Sequence, residues 1–196
     1  MNFWARRKWG WLLAALFCLP SPLWAAGSNS LTLYAGRYSD DRLGDVLLSK
    51  PVTYMNSWLL AVAASHAFAL ASPAHQWELE GQLARHVRGQ HHWETNLLAI
   101  YRWQRFSWRR VLQTSLAVGE GLSYASRVPP LEAASQTNVG ATRLLNYILV
   151  EMTVAPPQVK DWSLVVRVHH RSGVYGLFND VKGGSNVIAA GVKFYY

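Results

Sequence analysis

Apolar and polar residues alternate along most of this chain after its first two dozen positions. Trp77, Leu79, Gly81 and Leu83 share one face, with Gln76, Glu78, Glu80, Gln82 and His86 on the other. Further on, Trp93, Thr95, Leu97, Ala99, Tyr101 and Trp103 oppose His92, Glu94, Asn96, Arg102 and Gln104. Near the C-terminus, Ile188, Ala190, Val192, Phe194 and Tyr196 oppose Val187, Ala189, Gly191 and Lys193. A period of two puts each set on one side of a sheet. Segments of this type, bounded by turn residues, cover 30–38, 52–67, 76–87, 91–104, 108–122, 143–155, 162–172 and 185–196. Residues 59–71 also have helix-forming composition, but strand neighbours on both sides need a pairing partner there.

Alternation alone does not say which face is inside. The polar set includes Glu78, Glu80, Glu94, Arg102, Glu151, Arg167 and His169, which can pair across a narrow interior. Trp77, Trp93, Trp103 and Trp108 fall near segment ends, as aromatics do at the two edges of a membrane-spanning barrel. The chain closes on Phe194-Tyr195-Tyr196, which resembles the C-terminal aromatic signal of bacterial outer-membrane barrels. Every backbone hydrogen bond must be closed in lipid, so the expected fold is an all-β, eight-stranded antiparallel transmembrane barrel. At that strand number side chains fill the interior, which excludes a general diffusion pore. A soluble barrel carrying a lipid is the inside-out competitor.

Charged residues make up 15% of the chain, hydrophobic residues 51%, and mean hydropathy is +0.01, which rules out intrinsic disorder. Arg6, Arg7 and Lys8 precede an apolar stretch from Trp11 to Leu19, and Ala25 and Ala26 offer small residues for cleavage. Residues 1–25 therefore read as a signal peptide and 26–196 as the barrel. The single cysteine, Cys18, leaves with the leader. So do three of the 19 basic residues and none of the 11 acidic ones, leaving 16 against 11, net +5. The basic residues are scattered and no nucleic-acid motif is present, so lipid or lipopolysaccharide phosphate is the expected counter-charge. Long outer loops are expected at 39–51, 123–142 and 173–184, and short periplasmic turns at 72–75, 105–107 and 156–161.

Candidate chemistry gathers on the seventh segment. Trp162, Leu164, Val166, Val168, His170 and Ser172 form its apolar face, so a lipid-facing stripe ends at the outer rim in a histidine and a serine. Same-face neighbours on a strand lie roughly 6.5–7 Å apart, within leaning reach of an imidazole and a hydroxyl. A base that takes the serine proton creates a nucleophile, and its place on the rim selects a membrane-embedded ester. The bland alternative is two polar residues at the membrane–water boundary. His91-His92 read as a turn, with His66, His75 and His86 isolated, and no HExxH spacing occurs. No metal and no cofactor is expected.

An exported, cysteine-free barrel with His170-Arg171-Ser172 closing its penultimate strand resembles the lipid A 3-O-deacylase (PagL) family of outer-membrane acyloxyacyl hydrolases. The resemblance is strongest from Trp162 to Tyr196, through HHRSGVYGLFNDVKGGSN. It implies a metal-free serine esterase with His170 as general base, Ser172 as nucleophile, lipid A as substrate and the bacterial outer membrane as location. A homodimer is compatible with it. The family's orienting glutamate, expected after an Asn-Asp pair, is missing: Asn179-Asp180 are followed by Val181, Lys182, Gly183 and Gly184. Asp180, or Glu120 with Asn146 as a relay, is the candidate substitute. The family's oxyanion asparagine is replaced by Gly173, whose backbone N–H is the remaining donor there. A catalytically inactive barrel of the same fold is the alternative.

Overall fold

The computed structural model describes residues 28–68, 74–135 and 138–196. The leader expected over 1–25 lies outside them, as does part of the turn expected at 72–75. Eight antiparallel strands close into a barrel: β1 (Asn29–Ser39), β2 (Ser57–Phe68), β3 (His75–Arg88), β4 (His92–Trp103), β5 (Gln113–Ala125), β6 (Leu144–Ala155), β7 (Trp162–Ser172) and β8 (Gly184–Tyr195). Each pairs with its sequence neighbours, and β8 returns to β1 through the register Leu33↔Val192. Closure leaves no free edge, so the ladders satisfy their own backbone groups.

Side-chain direction decides the solvent. Leu60, Leu79, Leu97, Val118, Leu164 and Val166 point outward and are exposed, while Glu78, Glu80, Arg102, Glu151, Arg167 and Lys193 are buried inside. Arg167 meets Glu80 through two bonds of 2.9 Å and also pairs with Glu151. Arg102 pairs with Glu78 and, at 2.7 Å, with Glu151, and Lys193 reaches Glu78 at 3.0 Å. Such ions are tolerable inside only because each has a partner. They fill the middle of the barrel. Phe68, Trp77, Trp103, Trp162 and Phe194 mark one end of the outer surface, and Trp58, Trp93 and Tyr124 mark the other. This arrangement is the inverse of a soluble barrel, with aromatic girdles at both edges of an apolar band.

Residues 59–68, where helix and strand both fit the composition, are strand, held by β1 and β3. Strand bounds agree with the alternation to within a residue or so, except at the start of β2 and at both ends of β5, which runs three residues past the expected 122. Trp108 and Leu112, expected in β5, lie in a turn before it, where the Trp108 indole N–H bonds Thr114 Oγ1 at 3.0 Å. The turn between β4 and β5 is correspondingly longer than 105–107. The 40–56 connection carries a short helix, α1 (Leu43–Leu47), and the 126–143 connection carries α2 (Pro130–Ala134). By the loop-length rule these two connections and 173–183 mark the outer end.

Candidate active site at the outer rim

β7 delivers His170 and Ser172 to the outward face at its outer end, since Val166 and Val168 precede them on the same side. Their partners across the ladder are Ile148 and Asn186 for His170, and Asn146 and Gly184 for Ser172. Arg171, between them, points the other way, into the lumen, where it meets Glu132 of α2 at 2.8 and 2.9 Å. The residue that faces in therefore anchors the strand end whose neighbours face out.

Although outward-facing, His170 is 8% exposed. Its Nδ1 lies 2.8 Å from Asn186 Oδ1. Asn186 Nδ2 donates at 2.6 Å to the Asp41 carbonyl, which fixes the amide with its oxygen toward the imidazole. An oxygen there accepts a proton, so Nδ1 carries one and Nε2 is left as the basic nitrogen. No hydrogen bond joins Ser172 to His170 among the described residues; the two are neighbours across Gly184. A Cβ at Gly184 would stand 2.9 Å from His170 Cε1 and 3.0 Å from the Ser172 Cβ, so ring and serine flank one point. Glycine keeps that point open.

Neither candidate carboxylate holds the imidazole. Asp180 is exposed in the 173–183 connection at φ 60°, its N–H bonded to the Gly176 carbonyl. Glu120 faces outward on β5, in the same ladder row as Ile148 and His170, and bonds the Asn146 side chain. Asn146 itself sits directly opposite Ser172. The expected relay thus exists as far as Asn146 and stops beside the serine, while the residue bonded to His170 Nδ1 is Asn186. The Gly173 N–H, expected as an oxyanion donor, is spent on the Gly183 carbonyl at 3.2 Å.

Asn186 was legible only as one polar residue at the head of the apolar stripe Ile188, Ala190, Val192 and Phe194. The same irregularity marks Glu120, Asn146 and His170, and together they form a polar patch at one height on an otherwise apolar wall. A cavity of about 650 Å³, lined by Glu78, Arg102 and Lys193 among others, opens at the opposite, periplasmic end of the lumen.

No family model and no curated protein matches the sequence. Among solved structures, the fold is similar to the outer membrane enzyme PagL, at 10% identity and TM-score 0.58, covering 84% of this chain and 98% of that one. It is similar as well to Neisserial surface protein A, at 10% identity and TM-score 0.52, covering 87% and 99%. A lipid-facing exterior, a paired ionic interior and this shared fold make the protein an eight-stranded barrel of the bacterial outer membrane.

Proposed function

We propose that the protein is a serine esterase that removes the 3-O-linked acyl chain of lipid A. The observation that carries this reading is the outward-facing pair of His170 and Ser172 at the outer rim, with the ring's tautomer set by a buried amide. A nucleophile on the outer wall of a filled barrel reaches only molecules lying in the outer leaflet. The likeness in fold to an outer membrane enzyme supports the same reading.

Ser172 Oγ attacks the ester carbonyl carbon as His170 Nε2 takes the hydroxyl proton. The tetrahedral intermediate collapses when that proton passes to the departing sugar oxygen, leaving an acyl-serine. Water, deprotonated by the same nitrogen, then releases the fatty acid and restores Ser172. Asn146, directly across the ladder from Ser172, has its Nδ2 committed to Glu120 and, at 3.2 Å, to the Gly121 carbonyl, so it donates to the developing oxyanion only if substrate displaces one of these bonds.

Mass spectrometry of lipid A from cells expressing the wild type, Ser172→Ala or no copy of the gene tests the proposal. The wild type is expected to remove one 3-hydroxyacyl mass, and the other two to leave lipid A intact. One observation favours a second reading, a non-catalytic barrel: an amide stands where a carboxylate would orient the base. An unchanged acyl pattern with the wild type would establish it.

A further inference from the structure

Histidines 86 and 92 are directly paired across the β3–β4 ladder, both pointing into the lumen near its outer end. His92, read both as the second residue of a turn and as the first polar-face residue of the fourth segment, opens β4, and the turn is confined to 89–91. Glu94, two residues along the same strand, faces the same way, so His86 and His92 acquire a carboxylate neighbour from one hairpin. The three offer ligand atoms within 4.8 Å of one another. We propose that they hold a divalent transition-metal ion of the zinc class, a site independent of the rim chemistry.

Two buried groups point to an ion. His92 is 1% exposed, yet neither of its ring nitrogens has a hydrogen-bond partner among the described residues. The Oε1 of Gln90, equally buried, has none either. Buried polar atoms are almost always satisfied, so orphans grouped in one place call for a missing species. Gln90 Nε2 now lies 3.2 Å from His86 Nδ1, and His86 Nε2 lies 3.0 Å from Glu94 Oε2. Turning the Gln90 amide over places its orphaned oxygen on a protonated Nδ1. With the proton held there, an entering ion displaces the Nε2 proton to solvent and takes its place between His86 and Glu94.

The surroundings fit such an ion. Glu94 Oε1 accepts from His169 at 2.7 Å and from Ser123 at 2.9 Å, which aims Oε2 at the paired imidazoles. Two nitrogens and one carboxylate oxygen at about 2.0–2.2 Å, with a water as fourth ligand, suit zinc. Arg171 stands 3.9 Å from Glu94, but Glu132 neutralises it. The two imidazoles stack with centroids 4.1 Å apart and planes 13° from parallel, so coordination requires the His92 ring to rotate out of the stack until one of its unpartnered nitrogens points at the His86–Glu94 pair.

The test uses the whole barrel, without a histidine tag, refolded in detergent and stripped with a chelator. Titration with Zn²⁺ should give one equivalent bound, and Co²⁺ should show the visible bands of a four-coordinate site. His92→Gln should weaken Zn²⁺ binding at least about a hundredfold, and Gln90→Leu by about 10–100-fold. His91→Ala, altering the exposed neighbour, should change nothing. No stoichiometric binding by the folded wild type, or wild-type affinity in His92→Gln, overturns the proposal. Should His92→Gln fail to fold, the stoichiometry and Co²⁺ spectrum of the wild type decide alone.

Discussion

An imidazole serves as a general base toward Ser172 only with its proton on Nδ1, and at His170 that proton is held by Asn186. An amide can do this because it is itself pinned: its Nδ2 has the Asp41 carbonyl at 2.6 Å, so its oxygen has one direction to face. What it lacks is the negative charge with which a carboxylate steadies the imidazolium. Asn186→Leu removes both the tautomer lock and the tie to the β1–β2 connection, and should lower kcat for acyl release by about 10²–10⁴-fold. Asn186→Asp supplies the charge in place and should retain or raise activity. Fatty-acid release from lipopolysaccharide in mixed micelles, with kcat and KM separated, checks both. A purely structural Asn186 would lose activity in the two variants alike.

At the scale of elements, the outer loops are what bring the site together. α2 inserts Glu132 into the lumen mouth, where it receives Arg171 twice and Ser185 at 2.7 Å. The 126–143 and 173–183 connections are further stitched by the Val139↔Lys182 bridge and by Asn138, whose Oδ1 accepts from the Gly184 N–H. Glu132→Ala leaves Arg171 buried without its closest counter-charge, a change worth about 3–5 kcal/mol in dry interiors. The expected result is an outer loop cut faster by added protease while the barrel keeps its heat-modifiable migration on gels. None of this was readable from the chain. α1 and α2 are five residues long without side-chain caps, and Glu132 owes its burial to a loop that crosses the barrel mouth. β7, by contrast, was readable from Trp162 to Ser172, because a strand between lipid and ions must alternate without a break. Trp108 misled for a physical reason: it sits on the aromatic edge like the strand-end tryptophans, but a turn puts it there. The roles of Asn186 and of the His86–His92 pair escaped notice because each residue acquires its neighbour by cross-strand register, and register is set by loops whose lengths alternation does not fix.

Taken whole, the molecule is a sheet with two incompatible solvents, and this fixes what it costs to put a charge on either side. Leu97 lies halfway along β4, points outward and is 60% exposed, which in a bilayer means contact with acyl chains. Arginine there should cost about 2–4 kcal/mol, against about 0–1 kcal/mol for the same change at Trp103, on the aromatic edge of the same strand. Inside, the sign of the preference reverses. Glu80→Leu makes the lumen more apolar and should still destabilise, by about 3–5 kcal/mol, because Arg167 is fully buried and loses both of its Glu80 bonds. Reversible unfolding by denaturant in lipid vesicles measures all three. A soluble lipid carrier would rank them differently: Leu97→Arg would be nearly free, since an added charge would then face water. The depth dependence along β4 thus reports which solvent the barrel wall meets, and the proposed esterase requires a wall in lipid, since only there would Ser172 meet an acyl ester from the side.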